Sequence, residues 1–131
     1  MKTQKQFVNY EIAKALKELG FNEECLGHYI SSEGWKYDLT EGSLYIKKSI
    51  RQDELSILAQ TWQQAIDWLR DNHNIVVRAI PLFINKAIGL SEIDCYIPHC
   101  NGDFLDEEYD TYYKAQEIAI KKGIEEIFKR L

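Results

Sequence analysis

The stretch 61-TWQQAIDWLRDNHN-74 opens on Thr61 with Gln64 three residues later, the spacing of a capping box that satisfies backbone N–H groups at the start of a helix. Trp62, Ala65, Ile66 and Leu69 then recur at helical spacing as an apolar stripe. Asn72 and Asn74 are the expected terminators, because Asn enters left-handed backbone more easily than most residues. The segment that follows, 75-IVVRAIPLF-83, is short and β-branched, as a largely buried strand would be, and 92-EIDCYIP-98 reads as its partner or neighbour. Pro81 and Pro98 are expected to limit the pairing, since proline cannot donate to a ladder. A helix leading into paired strands therefore frames the rest of the chain.

Upstream, Val8, Ile12, Ala15, Leu16 and Leu19 share a helical face within residues 7–19, with Gly20 as the stop. From Cys25 the chain turns to short segments rich in Tyr, Trp and Ile, cut by the turn formers 31-SSEG-34 and 40-TEGS-43. Three antiparallel strands are expected there. In the second, Trp35, Tyr37 and Leu39 alternate with Lys36 and Asp38, and the third lies near 44-LYIKKSI-50. Residues 51–60 give no clear pattern. Downstream, Tyr109, Tyr112, Tyr113, Ala119, Ile120, Ile124, Ile127, Phe128 and Leu131 mark a long final helix. The expected fold is α+β: an antiparallel sheet of about five strands, three helices packed mainly on one face, in the order α-β-β-β-α-β-β-α.

The 131 residues contain 45% apolar and 28% charged positions, which suits one folded domain over 1–131 and not a disordered chain. Sixteen basic residues against 21 acidic ones give a net charge of −5, a field that opposes general nucleic-acid binding. The short run Lys47, Lys48 and Arg51 reads as a solvated strand end. Three cysteines are too few for a disulfide framework and point to a reducing compartment. Without a signal-like start or a long apolar run, the chain is expected to be soluble and cytoplasmic, with no membrane contact.

Cys25 with His28, and His99 with Cys100, supply four residues of the types that bind zinc. Both pairs fall in expected strands, where successive side chains point to opposite faces, so a shared ion is the weaker reading and buried thiols the stronger. Cys95 is five residues from Cys100 and should point the opposite way. No local signature supplies a base for a cysteine nucleophile. The run 103-DFLDEEYD-110 lacks the ligand alternation and central Gly of an EF-hand loop, and complementing the dipole at the start of the final helix accounts for it. Nucleotide-binding, hydrolase and metalloprotease motifs are absent, and no cofactor is implied.

Eight tyrosines and three tryptophans remain as the chief functional clue, being residue types enriched at interface hot spots. Trp62 lies on the core stripe of its helix. Trp68 sits at the stripe's margin and is a candidate partner contact, as are Tyr109, Tyr112 and Tyr113, which cannot all face inward.

The blocks 7-FVNYEIAKALKELGFNEEC-25 and 61-TWQQAIDWLRDNHN-74 resemble two blocks of uncharacterised small proteins from Bacteroidales and their phage or mobile elements. That resemblance implies a strand pair after the first block and a helix at the second, and it carries no activity. The expected function is a non-enzymatic accessory or protein-interaction domain acting on a protein partner or as a homo-oligomer. The alternative is a small-molecule- or metal-binding module built on the cysteine and histidine residues.

Overall fold

Asn9 starts the first helix of the computed structural model, which describes residues 6–30, 43–45, 48, 50, 56–85, 91–105 and 107–131. The Asn9 side chain accepts a hydrogen bond from Ile12 N at 2.9 Å, and α1 runs Tyr10–Glu18. The apolar spacing alone placed the start near residue 7. Phe7 and Val8 are instead extended: Val8 N donates to Gln60 O at 2.9 Å and Phe7 bridges Thr61. At the other end Gly20 takes φ +98°, Gly20 N reaches Lys17 O and Phe21 N reaches Leu16 O. This pair of bonds satisfies the last carbonyls, and Phe21 and Leu16 are both buried.

The chain divides into two compact units, Met1–Trp68 and Leu69–Leu131. In the first, β1 (Gly27–Ile30), β2 (Ser43–Tyr45) and β3 (Ser56–Ala59) form an antiparallel sheet in the order β2-β1-β3. Tyr29 lies opposite Leu44 on one side and Ile57 on the other. Its hydroxyl donates to Val8 O at 2.6 Å, and its ring meets Tyr10 edge-on at 5.6 Å. The expected strand through Trp35, Tyr37 and Leu39 lies outside the described residues. Strand β3 arises from a segment whose composition gave no pattern, because 56-SILA-59 is too short to show alternation and three of its four residues are buried.

Helix α2 (Trp62–His73) begins where expected, with Thr61 Oγ1 accepting from Gln64 N at 3.2 Å. The reciprocal half of the box is absent, since the Gln64 amide donates to Glu24 O at 2.8 Å. Asn74 takes φ 56° just past the helix, as a terminator should.

The second unit holds β4 (Val77–Asn85), β5 (Ser91–Cys100), β6 (Asp103–Phe104) and α3 (Tyr112–Arg130), its sheet ordered β4-β5-β6. Asn101 and Gly102, at φ 50° and 92°, make the two-residue turn between β5 and β6 that Asn-Gly favours. Pairing passes both prolines: Pro81 lies opposite Tyr96 and Pro98 opposite Ala79. Tyr96 N and O both bond Tyr109, at 2.8 Å each way, and Pro98 O accepts from Leu105 N. These β5 groups face away from β4, so Pro81 sits at a pair where the β4–β5 ladder requires no N–H, and Pro98's missing donor is likewise on the side away from β4.

Helix α3 packs on this sheet by close approach: a Cβ at Gly123 would lie 2.7 Å from Ile75 Cγ2 and 3.0 Å from Val77 Cγ1. Ala115, Ala119, Ile120, Ile124 and Ile127 complete its buried face. The architecture is α+β in the expected order, with the two-residue β6 added. The single five-stranded sheet is corrected to two small antiparallel sheets, because which strands share a sheet depends on non-local pairings that local patterning does not encode. No helix among the described residues is long and apolar enough to cross a membrane.

Candidate functional site: the tyrosine face at the start of α3

Thr111 caps α3, its hydroxyl accepting from Lys114 N at 3.2 Å. This start fixes the two tyrosines that follow. The Tyr112 ring meets Tyr96 of β5 edge-on at 5.7 Å and Tyr113 at 5.8 Å. Gln116, buried one turn on, donates from Nε2 to the Tyr112 hydroxyl at 3.2 Å. Tyr109 precedes the helix and does not extend it as the apolar spacing suggested. Its backbone is bridged to Tyr96, which places the two side chains on one face of the sheet, and its hydroxyl donates to Glu107 Oε2 at 2.9 Å. Tyr112 and Tyr113 nevertheless stay 41% and 46% exposed. Three of the four tyrosine and tryptophan contact candidates thus converge, with Tyr96, at one end of α3.

The fourth belongs to the other unit. Trp68 is 5% exposed, its ring packed against Phe21 at 5.4 Å. The buried stripe of α2 is Ala65, Trp68 and Leu69, while Trp62 is half-buried. The i, i+3, i+4 spacing fits both phases, and packing against Phe21 selects the one that buries Trp68.

The acidic run also differs from its expected role. No acidic residue stands in the first turn of α3. Glu107, Glu108 and Asp110 are exposed in the segment before Thr111, and only Asp110 adjoins the helix end where the dipole acts.

Of the candidate ligands, Cys25 and His28 belong to the first unit and His99 and Cys100 to the second; among the described residues no group of three or more His, Cys, Asp or Glu side chains is placed to hold a metal ion. His99 and Cys100 are neighbours on one strand and face opposite ways. Cys100 pairs with Val77 on the α3 side, whereas His99 stacks edge-on against Phe104 at 5.0 Å. Cys25 Sγ lies 3.6 Å from Glu23 O. All three thiols are free and buried. Burial, reinforced by Glu23, pushes the Cys25 thiol up to about 12, and burial with the 3.3 Å hydrogen bond to Glu108 pushes Cys95 up to about 11. Burial raises Cys100 as well. Thiols held protonated in this way are poor nucleophiles and poor ligands. Of the short basic run, Lys48 pairs with Glu24 at 3.4 Å, while Lys47 and Arg51 lie outside the described residues.

Sequence reasoning missed Phe83 and Ile93, cross-strand partners that are 60% and 43% exposed. Both read as ordinary core positions of strands, and nothing local signals where the covering helix begins. No family model, curated protein or solved structure matches the chain.

Proposed function

We propose that this chain is a non-enzymatic interaction module that binds a protein partner or a second copy of itself through the tyrosine face at the start of α3. One observation carries the reading: Tyr112 and Tyr113 are held by edge-on ring contacts and by Gln116, yet each leaves over two fifths of its surface exposed. A ring already fixed loses little rotamer freedom on binding, and amphipathic aromatics of this kind anchor interfaces. The raised thiols favour binding over catalysis. Free cysteines suit a reducing, cytoplasmic setting. The resemblance to phage and mobile-element proteins of Bacteroidales would make the module an accessory of such an element.

The test is light scattering across a concentration series, with a pull-down from the cells that make the protein, for wild type and a Tyr112→Ser/Tyr113→Ser variant of matched melting temperature. Association should weaken by at least about tenfold in the variant. A wild-type chain that stays monomeric and captures nothing contradicts the proposal.

A further inference from the structure

The row Phe83/Ile93 lies beyond the end of the helix that covers its sheet. Along β4, Val77, Ala79, Pro81 and Phe83 alternate onto one face, and their partners Cys100, Pro98, Tyr96 and Ile93 share it. Helix α3 lies on that face, with Gly123 against Val77 and Tyr112 against Tyr96. It therefore runs from the Pro81/Tyr96 row toward the Val77/Cys100 row, and Phe83 and Ile93 continue past its first residue. Their exposed side chains extend the tyrosine face along the strand direction. Exposed apolar side chains grouped in this way mark a contact surface.

The charges around it select the occupant. Asp94, the extra residue at the ladder irregularity between the Leu82/Cys95 and Phe83/Ile93 pairs, is exposed, as are Glu107, Glu108 and Asp110. Glu107 is tied to this face by the Tyr109 hydroxyl, whereas Glu108 and Asp94 both reach the Cys95 thiol on the opposite one. The four have no ion-pair partner among the described residues. Lys114, the cation of the first helical turn, is held by Glu117 at 3.2 Å. Against these carboxylates the start of α3 offers only about half a positive charge. A second copy would bring a like rim against this one, which is repulsive.

We infer that this surface, formed by Phe83, Ile93, Tyr96, Tyr109, Tyr112 and Tyr113, takes a cationic protein segment in which apolar anchors are flanked by Lys or Arg. The inference rests on the interaction reading above and narrows its partner class. Apolar anchors would cover the row left open by the helix, and the flanking cations would meet Glu107 and Asp110. Affinity comes from the rings; selection and salt dependence come from the carboxylates.

Two synthetic amphipathic probes of equal length, one alternating Phe with Lys and one alternating Phe with Glu, test this by fluorescence anisotropy at low and high salt. The Lys probe should bind at least about tenfold more tightly than the Glu probe, and less tightly as salt rises. Phe83→Ser and Tyr112→Ser should each weaken it by about tenfold with melting temperature retained, and the double variant E107Q/D110N should lose the preference. Equal binding of the two probes, or Lys-probe binding untouched by Phe83→Ser, overturns the inference. A dimer that Phe83→Ser dissolves and the Lys probe does not displace makes a second copy the occupant, which overturns the inference while the interaction reading stands. No probe binding by a strictly monomeric chain that captures nothing sinks both.

Discussion

Pro81 stands opposite Tyr96 in the β4–β5 ladder, and Tyr96 turns both backbone groups away from it to exchange 2.8 Å hydrogen bonds with Tyr109. Proline therefore occupies a pair at which β5 asks nothing of its nitrogen. Pro81→Val should change the unfolding free energy by less than about 1 kcal/mol in urea titration. Ile80→Pro, one pair along where the ladder alternation requires an N–H, leaves a β5 carbonyl unpaired and should cost about 1–3 kcal/mol. Equal losses at the two positions would contradict this register.

Gly123 admits α3 to the sheet. An alanine there gains about 1 kcal/mol of helix propensity, but its methyl would overlap Ile75 Cγ2, which is on a buried β-branched side chain with little room to move. Overpacking of this kind costs about 1–3 kcal/mol, so Gly123→Ala should be destabilising on balance. With Ile75→Ala added, the loss should be smaller than the sum of the two single losses.

Gln60 is fully buried, and neither atom of its amide has a hydrogen-bond partner among the described residues. Burying an unpaired amide costs about 1–3 kcal/mol in mutational series. Gln60→Met keeps the volume and removes the polar atoms, and should raise the unfolding free energy by about 1 kcal/mol. A clear loss in thermal or urea unfolding would show that the amide is bonded in the folded chain.

The thiols set an alkaline limit. Cys25 and Cys95 rise to about 12 and 11, burial being the main cause in each, and Cys100 shifts the same way. Unfolded thiols titrate near about 8.5. The folded state thus holds protons that the unfolded state releases, so this stabilisation is complete below about pH 8.5 and is lost as pH climbs through the folded values. Urea midpoints should decline above about pH 8.5, and a Cys25→Ala/Cys95→Ala variant should flatten the decline. At neutral pH a thiol reagent should label the protein only after unfolding. Rapid labelling of native Cys95 would contradict its burial against Glu108.

Much of the fold was legible locally. The α1 stripe ending at Gly20, the Thr61 start of α2, its Asn74 terminator and the β4–β5 pair all follow from short-range chemistry. The phase of α2 was not, because Trp62 and Trp68 both fit a helical stripe until Phe21 is placed. Nor was the division into two sheets, or the passage of the ladder through Pro81 and Pro98, since each depends on which backbone groups face a distant strand. Tyr109, Tyr112 and Tyr113 were visible as a surplus of rings, but not as a single face with Tyr96. Phe83 and Ile93 escaped because their exposure depends on where α3 begins over the sheet.

The proposed function requires that Tyr112 and Tyr113 meet a partner. Hydroxyl-radical footprinting of the purified chain, and of the same chain in a lysate of the cells that make it, decides the matter. Phe128, 40% exposed in the last turns of α3, serves as the internal reference. Oxidation of Tyr112 and Tyr113 relative to Phe128 should fall several-fold in the lysate. An unchanged ratio, with both tyrosines as reactive in the lysate as in the purified chain, would mean that neither is a contact residue.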